Sequence, residues 1–274
     1  MKNILTVFSF FFCVSCASSK DTNYTASTPA DPLVRTFLGI SLTDSIDFIR
    51  WNLTFSDNQY TLQCNYGIGK NNTNGFINGG EKLSLSGKFK KEHNNYLLIN
   101  GRQALKLAIL NTNLLHILNT DNSMLKGNGG WSYALNNMTP VANAQTAIVS
   151  PKVILKDSMS FEGRTPCGVP GIIAPGMECY KLKWYIVLYG DSQKNEPTTY
   201  KVFGTPWRVE GGRKGDWKII TKDVGKIFYQ LNDEKGTPFI NLLKLDDGVL
   251  IFTDAKENLL VGDLDFSYTL NRRF

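Results

Sequence analysis

Two carboxylates separated by one residue, Asp263 and Asp265, stand beside Gly262 near the end of the chain. On a strand that spacing puts both side chains on one face, where paired carboxylates can move protons or hold a hard cation. A solvated turn produces the same pattern. A similar stretch earlier in the chain carries Asn128 and Gly130 at the matching positions, so the turn is the expectation and any chemistry would be private to one copy. The two histidines are His93, in a polar Lys-Glu-His-Asn-Asn run, and His116, in an apolar run. Neither has a second His or an acidic residue at ligand or triad spacing, which predicts an exposed turn histidine and a core or barrel-wall histidine. No Gly-x-Ser-x-Gly, phosphate loop or dinucleotide fingerprint occurs. The expectation is therefore a non-enzymatic chain with no catalytic residues, no metal and no cofactor.

The N-terminus reads Met1-Lys2-Asn3, an apolar run Ile4 to Phe12, then Cys13-Val14-Ser15-Cys16-Ala17. This layout predicts a cleaved signal peptide over 1–15, too short to remain as a membrane span. It resembles the lipobox of bacterial lipoproteins, in which the thiol corresponding to Cys16 is acylated and becomes the new N-terminus; Cys13 stands where Leu is usual. Residues 16–31, rich in Ser, Thr, Asn, Asp and Pro, are expected to be a flexible tether, because they cannot bury enough apolar surface to fold alone. Ala17 resembles the sorting position of lipoproteins sent to the outer membrane, and Lys20-Asp21 resembles surface-export signals of Bacteroidetes lipoproteins. The net charge of +6 is spread along the chain without a Lys/Arg run, which argues against nucleic acid as a partner. The expected partners are the membrane, through the lipid, with another envelope protein or a small apolar ligand.

The body is a duplication. Leu114-Leu115-His116-Ile117, Leu125-Lys126-Gly127 and Trp131-Ser132-Tyr133-Ala134-Leu135-Asn136 align without a gap with Val249-Leu250-Ile251-Phe252, Leu260-Val261-Gly262 and Phe266-Ser267-Tyr268-Thr269-Leu270-Asn271. Upstream, Trp51-Asn52-Leu53 answers Trp184-Tyr185-Ile186, Tyr60-Thr61-Leu62 answers Tyr200-Lys201-Val202, and Phe37-Leu38-Gly39 is matched to Phe161-Glu162-Gly163. Repeats are expected over 32–137 and 159–274, joined by a linker over 138–158. Within each, apolar residues recur at a period of two, as in Trp51, Leu53 and Phe55 or Leu182, Trp184, Ile186 and Leu188, the mark of half-buried strands. Turn signals such as Asp57-Asn58 and Asp246-Asp247-Gly248 separate them. The run from Ala104 to Leu118 also suits a buried helix, but Asn111-Thr112-Asn113 favours two strands. About six to eight strands per half hide their edges best by closing. The predicted fold is all-β, with two tandem small antiparallel lipocalin-like β-barrels.

The second half opens Phe161-Glu162-Gly163-Arg164-Thr165-Pro166-Cys167-Gly168-Val169-Pro170-Gly171-Ile172 and continues through Trp184 and Tyr200. This opening resembles the NlpE-like domain of envelope lipoproteins, and the resemblance implies a small lipocalin-like barrel tethered at the outer membrane, with roles in copper tolerance, adhesion or envelope stress. The family's second cysteine falls at Pro170, so copper chemistry is not carried over. Cys167 and Cys179 remain, close across a Pro/Gly-rich loop in an oxidising compartment; a disulfide there would stabilise by about 3 kcal/mol on the chain-entropy estimate. A soft metal site with Met177 is the weaker alternative, and Cys64 reads as a buried thiol. The aromatic residues Trp184, Tyr185, Tyr189, Trp207, Trp217, Phe228, Tyr229 and Phe252 suit a core, or less well a ligand cavity. The functional expectation is an envelope binding, sensing or adhesion module acting through loops and the seam between barrels, with a carrier of a small apolar ligand in the second barrel as the alternative.

Overall fold

In the computed structural model, which describes residues 21–146, 148–173, 176–205, 211–222 and 225–273, the alternating segments form two closed antiparallel barrels in tandem. The first is built from β1 (Thr22–Pro29), β2 (Phe48–Ser56), β3 (Gln59–Gly67), β4 (Glu81–Glu92), β5 (Asn95–Asn100), β6 (Gln103–Asn111), β7 (Leu114–Ile117) and β8 (Ala134–Asn137). The second uses β9 (Ser158–Thr165), β10 (Leu182–Asp191), β11 (Glu196–Gly204), β12 (Arg213–Thr221), β13 (Ile227–Asn232), β14 (Pro238–Lys244), β15 (Val249–Thr253) and β16 (Thr269–Arg273). Consecutive strands pair, and β8 returns to β1 as β16 returns to β9, so no sheet edge runs the length of either barrel.

Two boundaries differ from the sequence reading. The stretch expected to be the end of a tether is strand β1: Thr22–Pro29 pairs along its whole length with β2. Its inward positions are Tyr24, Ala26 and Thr28, all buried. Small and polar residues hid this strand, because its stability comes from its neighbours and not from its own apolar content. With β1 in place, the match of Phe37-Leu38-Gly39 to Phe161-Glu162-Gly163 is also corrected. The partner of β9 is β1: Trp51 donates its indole N–H to Thr28 Oγ1 (2.8 Å) as Trp184 does to Thr165 Oγ1 (2.9 Å). The second correction concerns the linker. Ile148, Val153 and Leu155 are buried in the core cluster of the second barrel, so most of 138–158 is a packed strap.

The helix α1 (Pro32–Leu38) occupies the β1–β2 connection. Asp31 caps its N-terminus by accepting from Leu33 N–H, and Gly39 ends it at φ 72°, a backbone angle that suits glycine. It buries Val34, Phe37 and Leu38. The equivalent β9–β10 connection carries the Cys167–Cys179 disulfide, with Cα atoms 6.0 Å apart. One slot in the repeated topology is thus plugged by a helix in one copy and by a cross-linked loop in the other.

Both copies share a second device. Strand β4 pairs with β3 through Glu81–Lys88 but with β5 only through Phe89–Glu92, and β12 divides in the same way between β11 and β13. Where each strand parts from its neighbour, a tyrosine lies across a glycine. Tyr60 faces Gly87 and donates to Ile99 O (3.0 Å); Tyr200 faces Gly215 and donates to Asn232 O (2.7 Å). A Cβ on either glycine would collide with that carbonyl and with the ring. Tyr200→Phe is expected to lower stability by about 1 kcal/mol by leaving the Asn232 carbonyl short of a donor. Gly215→Ala should cost more, because backbone must shift; urea titrations of the two variants check the order.

Candidate functional site

The seam between barrels is assembled from the duplicated C-terminal stretches. In β6, β7 and the residue after it, Leu105, Leu107, Leu115 and Ile117 point into the first barrel, while Ala108, Leu110, Leu114 and Leu118 belong to the same buried cluster as Leu243, Leu245, Val249 and Ile251 of the second. These strands are apolar on both faces because one face lines a barrel and the other meets its twin. The polar contacts across the seam are reciprocal. Gly127 N–H donates to Asn271 Oδ1 (2.7 Å), and Gly262 N–H donates to Asn136 Oδ1 (2.8 Å). Between them the hydroxyls of Ser132 and Ser267 meet at 2.5 Å. Matched residues of the two repeats therefore contact each other's equivalents, the arrangement of an isologous dimer within one chain.

The flanks of this seam are not symmetric. Phe76, Phe48 and Trp131 stack with centroids 4.2 and 4.5 Å apart, and Arg164 of the second barrel lies over Trp131. Beside them Asp265 reaches across to the first barrel, one oxygen on the Arg50 guanidinium (2.5 Å) and the other on Asn74 Nδ2 (2.7 Å). Next to that ion pair a groove of about 750 Å³ opens along the outer wall of β1 to β4, with Leu264 and Met138 also in its lining. A single cross-strand row, Thr25, Asn52, Gln63 and Ser84, crosses its floor. Thr25 Oγ1 also donates to Met138 Sδ (3.1 Å). The floor offers amides and hydroxyls, Lys82 adds a cation to the lining, and Asp265 pairs with Arg50 at its side. On the corresponding wall of the second barrel the row reads Glu162, Tyr185 and Phe203, with the two rings 6.1 Å apart. The copies kept the seam and diverged in the wall.

No family model, curated protein or solved structure matches this chain.

The residues singled out from sequence take these places. Asp263 and Asp265 do not form a paired acid/base site. Asp263 Oδ1 accepts from the backbone N–H groups of Asp265 and Phe266 (both 2.8 Å), and Asn128 caps Gly130 and Trp131 in the same way at 3.0 Å. The turn reading of these positions agrees with that geometry, while the ion pair of Asp265 was not visible in the sequence. His93 sits at φ 52° in the β4–β5 turn and is exposed. His116 is fully buried on the seam side of β7, with Nδ1–H donating to Ile117 O (2.9 Å) and Nε2 unpartnered. Cys64 is a buried thiol whose pKa burial pushes well above its usual range. Cys167 and Cys179 are joined; Met177 is exposed, and no metal-binding cluster of acidic, His or Cys groups occurs among the described residues. Cys16 and Trp207 lie outside the described residues.

Most of the aromatic surplus of the second half is core. Trp184, Trp217, Phe228, Tyr229 and Phe252 are each at most 3% exposed, and Trp184 meets Phe252 at 4.8 Å inside the barrel. Tyr185, on the outer wall, and the half-buried Tyr189 are the exceptions. The groove residues were missed because Asn52, Gln63 and Ser84 read as ordinary wet-face positions; no sequence signal tells which exposed wall a distant residue such as Leu264 will flank.

Proposed function

We propose that the chain is a non-enzymatic outer-membrane lipoprotein, anchored through Cys16, that binds an envelope component in the seam groove. One observation carries this reading: the groove is lined by β1 to β4 of one barrel together with Leu264 of the other and Met138 at the start of the strap, so both repeats contribute to it. A volume of this size is in the usual range for a ligand site. The NlpE-like opening at Phe161 supports the same envelope assignment. The carrier alternative is disfavoured by side-chain filling of the second barrel, since closed barrels of about eight strands have room for either side chains or a small ligand.

Photo-crosslinking in the host tests the groove. A crosslinker placed at Gln63 is expected to give an adduct that a Ser84→Trp substitution abolishes, with the melting temperature unchanged. The same probe at Tyr185, on the matching wall, is expected to give none. Equal adducts from both positions would remove the groove as the binding surface. Native mass spectrometry of host-purified protein addresses the rival: a stoichiometric apolar ligand would restore the carrier.

A further inference from the structure

We infer that the end of the two barrels from which the N-terminal segment leaves is a bilayer-contact face, laid against anionic lipid by the strap. The inference rests on the proposed acylation of Cys16 for its orientation, and on independent features of the strap for its chemistry.

The strap binds the ends of both barrels into one surface. It begins where Met138 N–H donates to Asn23 O (2.9 Å), one residue from the start of β1. It then crosses the β6–β7 turn, where Asn113 exchanges two bonds of 2.7 Å with Val141. Ser150 N–H donates to Gly225 O (3.0 Å) in the β12–β13 turn, and Leu155 N–H to Asn195 Oδ1 (2.8 Å) in the β10–β11 turn. By the antiparallel order these turns lie at the ends where β1 and β9 begin.

Along this path the strap turns apolar side chains outward as well as inward. Ile148, Val153 and Leu155 are buried, whereas Val141, Val149 and Ile154 are 59, 70 and 73% exposed. Lysines are interleaved with them: Lys152 and Lys156 are exposed, as is Lys194 in the adjoining turn. Of the acidic groups there, Asp191 pairs with Lys194 (3.5 Å) and Asp157 accepts from Ser192 Oγ (2.6 Å), while Glu196 at the start of β11 is exposed, so Lys152 and Lys156 are the cations set among the apolar side chains. Apolar side chains between cations suit the boundary between headgroups and acyl chains of an anionic leaflet.

Tether length selects lipid over another occupant. Because β1 starts at Thr22, the six residues from an acylated Cys16 span about 20 Å at most when fully extended. A tether running to Asp31 would have let the body stand well clear. The short leash keeps this end within about 20 Å of the headgroups even at full stretch, so a slack tether brings it into contact.

The test uses the mature chain, from residue 16 onward, carrying Cys16→Ser, which cannot be acylated, in flotation with phosphatidylglycerol/phosphatidylethanolamine vesicles and with neutral phosphatidylcholine vesicles. Binding to the anionic vesicles is expected, with about a tenfold lower bound fraction for Val149→Asp combined with Ile154→Asp and an unchanged melting temperature, both side chains being on the surface. Equal binding by the variant, or none by the parent, overturns the face. Loss of self-association in place of lipid binding would assign it to a second copy and equally overturn it. Mass spectrometry of the N-terminal peptide from the host tests acylation separately, so the anchor and the contact face can fail independently.

Discussion

Asn136→Ala is expected to lower the unfolding free energy by about 2–4 kcal/mol and Asn271→Ala by about 1–3 kcal/mol, since each group left unpaired in a buried site costs about 1–3 kcal/mol. The inequality has a structural origin. Asn136 is 1% exposed and makes two bonds across the seam, accepting from Gly262 N–H and donating to Asp263 O (3.0 Å). Asn271, equally buried, accepts from Gly127 N–H. Neither loop can relax freely, because Gly127 and Gly262 are pressed against the backbone of Trp131 and Phe266 respectively. Water reaching the freed groups would have to separate the paired apolar faces of β6–β7 and β14–β15. Chemical denaturation of the two single variants and the double variant measures both costs and their coupling. Independent costs that simply add, or an Asn136→Ala variant as stable as the parent, would mean the seam does not behave as one reciprocal contact.

His116→Ile is expected to flatten the acid dependence of stability. Burial lowers the pKa of His116 to about 4, a desolvation effect that outweighs the Ile117 carbonyl and the Asp246 carboxylate, both of which favour the charged form. With Nδ1–H committed to Ile117 O, a second proton would have to sit on Nε2, which has no partner. The unfolded chain takes up that proton near the ordinary histidine value of 6.5, while the folded chain resists until about 4. Falling pH therefore favours the unfolded state across that window. Stability is full above the upper value and is lost progressively toward the lower one, by about 3 kcal/mol at 1.36 kcal/mol per pKa unit. The repeat supplies the substitution, because Ile251 is the matching residue and is fully buried on the same seam. Parent and variant should be similar at neutral pH and diverge as pH drops, read from urea midpoints at several pH values. Parallel profiles would place the acid sensitivity elsewhere.

Sequence alone determined the parts of this protein whose signals are local. Period-two alternation at Trp51-Leu53-Phe55 and at Leu182-Trp184-Ile186-Leu188 identifies half-buried strands, because a side chain's face follows from its parity. The gap-free match of the C-terminal stretches announced the two barrels, and the Pro/Gly-rich loop between Cys167 and Cys179 announced the disulfide, since 6.0 Å between Cα atoms is reachable over so short a loop. Tertiary structure decided the rest. Strand β1 has too little apolar content to declare itself, and it is a strand because Trp51 and the β2 backbone meet it. Whether Leu114 and His116 faced water or a neighbour depended on which surfaces docked, and parity cannot report that. Asp265 reached Arg50, and Leu264 came to flank the groove floored by Asn52, Gln63 and Ser84, only when the two repeats docked. Contacts so distant in sequence leave no periodicity behind, so their chemistry is set by the pairing of the barrels.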